Sequence, residues 1–247
     1  MKTLVCGSSG FIGQNLVKKL KEQGHYVVGV DIREPRYIKP DKFYSLDLRH
    51  ISQCVNVFRE TDYDRVYQLS AEMGGAGFIF SGDNDAEIMT NSALININVA
   101  CLAHNFKVKK LFFSSSVCAY SKDQVKEKMS EESIYPANPD SNYGWEKIFS
   151  ERVYQAFAKN KGLNIRIARL NNTFGPYCTW DGGREKAPAA ICRKALTQDP
   201  IEIWGNGKQI REFIYIDDLL DAIEVIMQSD HQEPINIGPD ESYTIDE

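Results

Sequence analysis

A glycine-rich turn near the N-terminus limits this chain to a small group of folds. The run Gly7–Gly13, with sequence GSSGFIG, joins a short apolar strand, Lys2–Cys6, to a stretch with apolar residues at helical spacing, 11–23. Gly24 stands where the helix should end, and the apolar segment Tyr26–Asp31 predicts a second buried strand. A strand, a glycine turn, a helix and another strand in this order predict a βαβ unit with a parallel sheet.

The alternation of strands and helices continues to residue 170. Further predicted strands cover 43–47, 65–70, Lys110–Ser116 and Asn164–Arg169, and predicted helices cover 85–106 and 143–161. This pattern favours an α/β fold, a Rossmann-type doubly wound parallel sheet with helices on both faces. Gly- and Pro-rich loops follow. We therefore expect a Rossmann domain over 1–170 and a smaller, interleaved substrate-binding region over 171–247.

Composition and charge exclude several classes of protein. The net charge of -5 provides no basic surface for nucleic acid, and no apolar run approaches the roughly 20 residues of a membrane span. The six cysteines include no CxxC pair, and the N-terminus lacks the apolar region of a signal peptide. We expect a cytoplasmic protein with reduced thiols, and we predict no nucleic-acid partner, no membrane association and no metal site.

The glycine turn also predicts a cofactor. Its glycines let the backbone approach a pyrophosphate, and the following helix N-terminus supplies free N–H groups. Asp31, at the end of the second strand, could accept hydrogen bonds from an adenosine ribose and would repel a 2′-phosphate. These features predict NAD as the cofactor. Arg33 argues mildly for NADP, and Asp31 could instead only cap its strand.

A second motif predicts redox chemistry. Tyr143 and Lys147 lie four residues apart, on one face of a predicted helix. A neighbouring ammonium stabilises a phenolate, so we expect Lys147 to lower the pKa of Tyr143 from about 10 towards neutrality. Tyr143 could then accept a proton from a substrate hydroxyl. Such a pair also occurs by chance on exposed helices, but Ser116 is spaced to bind the same reacting oxygen.

These motifs together resemble the extended short-chain dehydrogenase/reductase superfamily. In that superfamily, positions matching Asp47-Leu48 contact adenine, and the segment matching Leu69-Ser70-Ala71 lies under the cofactor. The resemblance implies a set of cofactor-binding residues, namely Gly7, Gly10, Phe11, Ile12, Gly13, Asp31, Asp47, Leu48, Leu69, Ala71, Tyr143 and Lys147.

The residues after Ser116 bear on the type of reaction. Sugar-nucleotide dehydratases of the superfamily carry Asp-Glu where this chain has Val117 and Cys118, which argues against dehydration. A thiol has a pKa of about 8.5 and can carry protons near neutral pH in a favourable environment. Cys118 could equally be a buried packing residue.

Three further segments resemble the GDP-mannose 3,5-epimerase family. They are the loop 72–79, the stretch 175–190 containing GGREKAPAA, and the stretch 204–217 beginning WGNG. With SSVCAY, the resemblance covers essentially the whole chain and implies an NAD-dependent isomerase. It implies the catalytic residues Ser116, Cys118, Tyr143, Lys147 and Lys186. It also implies the substrate-binding residues Gly74, Asn172, Glu185, Lys186, Ala187, Lys194, Gln209 and Arg211.

The family's reaction would convert GDP-mannose to GDP-L-galactose. Oxidation at C4 acidifies the C–H bonds at C3 and C5, Cys118 and Lys186 exchange those protons, and C4 is then reduced again. Burial or a neighbouring cation would have to lower the pKa of Lys186. Lys194 and Arg211 are the expected diphosphate partners. The superfamily also implies a homodimer through helices 85–106 and 143–161, and the family continues beyond the segment that ends this chain.

Other functions stay open at this point. The chain could be a 4-epimerase, an epimerase at C3 or C5 alone, or an enzyme acting on another nucleotide sugar such as a GDP-heptose. It could also be a non-catalytic, NAD-binding regulatory protein, although the full set of reactive residues argues against that.

Overall fold

A parallel sheet forms the centre of the molecule. The computed structural model describes residues 1–121, 129–203 and 205–247. Its strands are β1 (Lys2–Cys6), β2 (Tyr26–Asp31), β3 (Lys42–Ser45), β4 (Arg65–Gln68), β5 (Lys110–Ser116), β6 (Ile165–Leu170), β7 (Asn172–Phe174), β8 (Ile210–Arg211), β9 (Phe213–Tyr215), β10 (Ile235–Ile237) and β11 (Tyr243–Thr244). Seven of them form one sheet, ordered β10-β6-β5-β4-β1-β2-β3, and every neighbouring pair is parallel. The strand order reverses beside β1, where doubly wound sheets bind their ligands.

Helices cover both faces of this sheet. They are α1 (Phe11–Glu22), α2 (Ile51–Arg59), α3 (Ala76–Phe80), α4 (Asp85–Asn105), α5 (Asn142–Lys161), α6 (Ala187–Thr197) and α7 (Ile216–Gln228), with short 3₁₀ turns at Val117–Ala119 and Glu131–Ile134. Helix α5 begins where the Ser141 side chain accepts a hydrogen bond from the N–H of Gly144, at 3.2 Å. This cap fixes the start of the helix that carries Tyr143 and Lys147.

The alternating directions of strand side chains produce two apolar cores. Leu4 on β1 points into a core shared with Val99 on α4, whereas the next residue, Val5, points into a core shared with Leu16 on α1 and Leu219 on α7. The sheet is therefore buried on both faces, and the predicted Rossmann-type fold class is confirmed.

Residues 171–247 contribute to both parts of the fold. Helix α7, which the sequence analysis did not predict, packs on the sheet, and β10 extends the sheet by pairing with β6. The remainder contains α6 and two small sheets, β7 with β9 and β8 with β11. None of the helices in the described ranges has the length and apolar character that a membrane span requires.

Candidate active site

A cavity opens at the carboxyl ends of β1, β2 and β4. Its volume is about 450 Å³, within the usual range for small-molecule sites. Ten of the twelve residues predicted to bind the cofactor line it, namely Gly7, Gly10, Phe11, Ile12, Gly13, Asp31, Asp47, Leu48, Leu69 and Ala71. Tyr143 and Lys147 are buried beside the cavity rather than in its wall.

The glycine turn has the geometry that a pyrophosphate needs. Gly7 has φ +80°, and a side chain on Gly13 would place its Cβ 2.0 Å from the carbonyl oxygen of Gly7. Gly10 is the N-cap of α1 and offers no capping side chain. The N–H groups of the first helical turn are therefore free of intrahelical partners, and they form the positive end of the helix dipole. This arrangement fits the diphosphate of a dinucleotide.

Two carboxylates mark the end of the cavity expected to hold the adenosine. Asp31 accepts hydrogen bonds from the backbone N–H groups of Ser9 and Arg33, both at 3.0 Å, which fixes its carboxylate at the end of β2. It therefore caps its strand and lines the cavity at the same time. Asp47 pairs with Arg49, whose Nη2 lies 2.6 Å from Oδ2, and hydrogen bonds from Arg49 lower the pKa of Asp47.

Tyr143, Lys147 and Ser116 come together as predicted. Nζ of Lys147 lies 5.2 Å from the centroid of the Tyr143 ring, and the Ser116 side chain is close enough to favour the ionised form of Tyr143. The predicted lowering of the Tyr143 pKa is wrong for this structure. Burial raises the pKa of Tyr143 above its usual value of 10.0 and outweighs the opposite effects of Lys147 and Ser116.

Cys118 and Lys186 approach from different parts of the chain. Cys118 follows β5 in a 3₁₀ turn and donates its backbone N–H to Oγ of Ser116 at 3.1 Å. Lys186 precedes α6 and lines the cavity with Cys178. Burial lowers the pKa of Lys186, and the electrostatic influence of Cys118 and Cys178 opposes this. The expected direction of the pKa shift is confirmed, and the Cys118 thiol lies within electrostatic range of the amine.

Two loops meet over the cavity. Arg184 donates to a carboxylate oxygen of Glu72 at 2.9 Å, and its guanidinium lies 4.2 Å from the centroid of the Phe78 ring. Met73, between them in the first loop, lines the cavity and packs in the same apolar cluster as Tyr143. The ion pair between Arg184 and Glu72 therefore joins the two segments, and Met73 links the cavity wall to the buried Tyr143.

The predicted substrate-binding residues are divided by the structure. Gly74 and Lys186 line the cavity, whereas the other six, Asn172, Glu185, Ala187, Lys194, Gln209 and Arg211, do not. Nζ of Lys194 donates to the carbonyl oxygen of Glu202 at 2.7 Å, and Arg211 is exposed on β8. Trp204, at the start of the WGNG motif, lies outside the described residues.

Several residues of the cavity wall were not predicted. Met73 and Arg184 belong to segments that the family resemblance had marked, so their sequence context could have identified them. Arg49 and Asn91 also line the cavity, and Nη1 of Arg49 donates to Asn91 at 2.9 Å. No sequence motif indicates these two residues. They are 42 residues apart in the sequence, and only the packing of α4 brings Asn91 next to Arg49.

Comparisons with known proteins show which family this chain matches. Residues 3–238 match the NAD dependent epimerase/dehydratase family. The chain is 38% identical to GDP-mannose 3,5-epimerase 1 of Oryza sativa subsp. indica, covering 100% of this chain and 66% of the relative. It is also 38% identical to GDP-mannose 3,5-epimerase of Arabidopsis thaliana, covering 100% of this chain and 67% of the relative. The chain thus spans about two thirds of the length of these curated relatives.

The fold is also similar to that of a solved epimerase. A UDP-glucose 4-epimerase from Thermotoga maritima, determined with UDP-glucose, superimposes with a TM-score of 0.90 at 25% identity. The match covers 100% of this chain and 79% of that protein.

Proposed function

This chain belongs to the NAD dependent epimerase/dehydratase family, and we propose that it catalyses the 3,5-epimerisation of GDP-mannose to GDP-L-galactose. One observation carries the choice of reaction. A buried amine, Lys186, has a lowered pKa and lies within electrostatic range of the Cys118 thiol. Inversion of a carbon requires one group to remove a proton and another to return one. An amine with a lowered pKa and a nearby thiol are suited to that exchange.

The cavity supplies the binding site for NAD. The first turn of α1 would bind the diphosphate, Asp31 would bind the ribose, and Asp47 lies where the adenine is expected. When bound, NAD accepts a hydride from C4 of the sugar and later returns it, so it is regenerated in each cycle.

Tyr143 would act on the C4 hydroxyl. Its phenolate oxygen would accept the hydroxyl proton during oxidation and return it during reduction, while Ser116 would donate a hydrogen bond to the same C4 oxygen. Lys147 stabilises the phenolate electrostatically. Because burial raises the pKa of Tyr143, the positive charge of Lys147 has to be maintained throughout this step.

Cys118 and Lys186 would act on the oxidised sugar. A carbonyl at C4 acidifies the C–H bonds at C3 and C5, so a group of moderate basicity can remove those protons. A neutral Lys186 can accept a proton, and the Cys118 thiol can donate one from another direction, which gives inversion. Lys194 and Arg211 remain the proposed partners of the substrate diphosphate, together with Asn172, Glu185, Ala187 and Gln209 around the sugar and nucleotide.

Deuterium incorporation tests this proposal. We expect incubation with NAD and GDP-mannose in deuterated water to introduce deuterium at both C3 and C5, as measured by NMR and mass spectrometry. Tyr143→Phe should reduce the exchange by about 10² to 10⁴-fold, because the 4-keto sugar no longer forms efficiently. Unchanged function in Tyr143→Phe would support a non-catalytic role instead.

A 4-epimerase is the second candidate. The similarity in fold to a UDP-glucose 4-epimerase favours it. In that reaction the hydride returns to the other face of C4, and no carbon-bound proton exchanges with solvent. Inversion at C4 without deuterium incorporation would therefore replace the first proposal with the second. Deuterium at one carbon alone would indicate a single-centre epimerase.

We also infer that the chain forms a homodimer through α4 and α5. These helices pack side by side and present large apolar side chains to solvent. On α4, Leu94 and Ile97 are 47% and 36% exposed, and on α5, Trp145 and Phe149 are 41% and 45% exposed. Burying such a patch against a second copy removes it from water, which favours association.

A further inference from the structure

Glu146 is a buried carboxylate to which the proposed mechanism assigns no role. It lies on α5 directly before Lys147 and is 0% exposed. One oxygen, Oε1, accepts hydrogen bonds from Nδ2 of Asn96 at 3.0 Å and from Oγ of Ser150 at 2.6 Å. The other, Oε2, lies 3.4 Å from Nζ of Lys147. The helix thus places a fixed negative charge next to Lys147, which acts together with Tyr143 and Ser116 in the proposed redox step.

Lys147 depends on that charge because water cannot reach it. It is 1% exposed, and its Nζ lies 5.2 Å from the ring centroids of both Phe113 and Tyr143. The ring faces favour an ammonium, but only modestly. Burial lowers the pKa of Lys147, whereas Glu146 is the strongest of the groups that raise it. The net result is a raised pKa.

Tyr143 and Lys147 titrate as a coupled pair. Loss of the first proton from Tyr143 gives a phenolate beside an ammonium, which is the form that can act as a base. Loss of the first proton from Lys147 gives a neutral amine beside a neutral phenol, which cannot. These two forms hold the same number of protons, so the local charges determine which one predominates.

We propose that Glu146 is a positioning residue that keeps Lys147 protonated, so that the first proton lost by the pair comes from Tyr143. This inference rests on the proposed function, in which Tyr143 is the base. In this proposal, the charge of Glu146 favours the active form, a phenolate beside an ammonium, over the inactive form, a phenol beside a neutral amine. The same carboxylate also disfavours the phenolate of Tyr143, on which burial, Lys147 and Cys118 each have a larger effect.

The other groups around the pair do not replace Glu146. The other titratable groups near Tyr143 and Lys147 are Glu151 and Tyr154 on α5 and Cys118 after β5. The neighbouring elements α4 and β4 contribute the uncharged amides of Asn96 and Gln68. Glu151 is held by Arg169 in a two-point ion pair of 2.8 and 3.0 Å, so a cation already neutralises it. Glu146 is therefore the main carboxylate acting on Lys147.

The variant Glu146→Gln tests the proposal in the absence of turnover. It keeps the size of the side chain and an acceptor for Asn96 and Ser150, and it removes the charge. The phenolate absorbs in the ultraviolet, and subtracting the titration of a matched Tyr143→Phe protein isolates Tyr143 from the other tyrosines. We expect the phenolate of Tyr143 to appear about 1 to 3 pH units higher in Glu146→Gln, because Lys147 then loses its proton first.

Two further variants complete the experiment. Ser150→Ala removes a hydrogen bond to the same carboxylate but leaves its charge, so the titration should stay where it is in the parent. Glu146→Asp keeps the charge but moves it away from Nζ of Lys147. The pH at which the Tyr143 phenolate appears should then lie between the values for the parent protein and for Glu146→Gln. An unchanged or lower titration in both Glu146 variants would overturn the inference. Because no substrate is needed, this result is independent of the deuterium experiment that tests the proposed function.

Discussion

Replacing Lys186 with methionine should stabilise the fold while removing activity. The Lys186 amine is largely buried beside the cavity and has no carboxylate partner among the described residues. At a pH where the amine is charged in both the folded and the unfolded protein, burial lowers the free energy of unfolding. The loss is about 1.4 kcal/mol for each unit by which burial lowers the pKa of the amine. Methionine has a similar length and no charge. We expect Lys186→Met to increase the free energy of unfolding by about 1 to 2 kcal/mol at neutral pH.

The pH dependence of this gain follows from the direction of the pKa shift. The pKa of Lys186 is lower in the folded state than its usual 10.5. Below the folded pKa both states carry the proton, and the folded state bears the full penalty of a buried charge. Between the two pKa values the unfolded state binds more protons, so the parent protein gains stability as pH rises. The advantage of Lys186→Met should therefore be largest at low pH and decrease towards pH 10.5.

Urea denaturation at several pH values measures this effect. Lys208→Met is a suitable control, because the Lys208 side chain is 71% exposed and its replacement should leave stability nearly unchanged. Deuterium exchange into the sugar should fall by about 10² to 10⁴-fold in Lys186→Met. A destabilised variant, or a gain that increases with pH, would refute the reasoning that Lys186 is a strained, buried amine.

Three other substitutions test the fold, the cofactor site and the assembly. Arg169→Met should lower the free energy of unfolding by about 3 to 5 kcal/mol in urea, because it leaves the buried Glu151 carboxylate without its cation. Gly13→Ala should abolish NAD binding, measured by calorimetry, since its Cβ would lie 2.0 Å from a backbone oxygen of the turn. Trp145→Glu should give a monomer in analytical ultracentrifugation. Val225→Glu, at a position 67% exposed on α7, should not change the oligomeric state.

The cofactor site could be predicted because it follows from local rules. The glycine turn ends one strand and begins one helix, and Asp31 ends the next strand. Parallel strands bring their carboxyl ends to one edge of the sheet, so these residues meet whatever the rest of the chain does. The glycine turn and Asp31 could thus be predicted from spacing, whereas Asp47, Leu48, Leu69 and Ala71 were predicted only from the resemblance to the superfamily. All of these residues line one cavity.

Helix α7 was missed although its pattern is clear. Ile216, Leu219, Leu220 and Ile223 recur at helical spacing and are all buried. The Gly- and Pro-rich segments that follow residue 170 favoured loops in this region, so the helix was not predicted. Strand β10 is a different case, because three residues, Ile235–Ile237, are too few to show a period, and only pairing with β6 defines them.

The pKa of Tyr143 could not be predicted from its motif. The spacing of Tyr143 and Lys147 indicates the favourable charge, but it contains no information on burial. Tyr143 is 6% exposed, and that burial raises its pKa more than Lys147 lowers it. The sign of the net shift depends on tertiary packing against residues distant in sequence, such as Ile79 and Ile88.

The two halves of the proposed chemistry are fixed by different parts of the structure. Tyr143 and Cys118 are attached to α5 and to the end of β5, so the sheet determines their positions. Lys186 lies on a loop that is held to the first half of the chain by the pairing of Arg184 with Glu72. In the proposed mechanism, oxidation at C4 and the thiol of the proton exchange would therefore depend on the sheet and α5, whereas the amine of that exchange would depend on the loop. Changing this loop should alter the reaction of such a fold without disturbing its cofactor or its redox step.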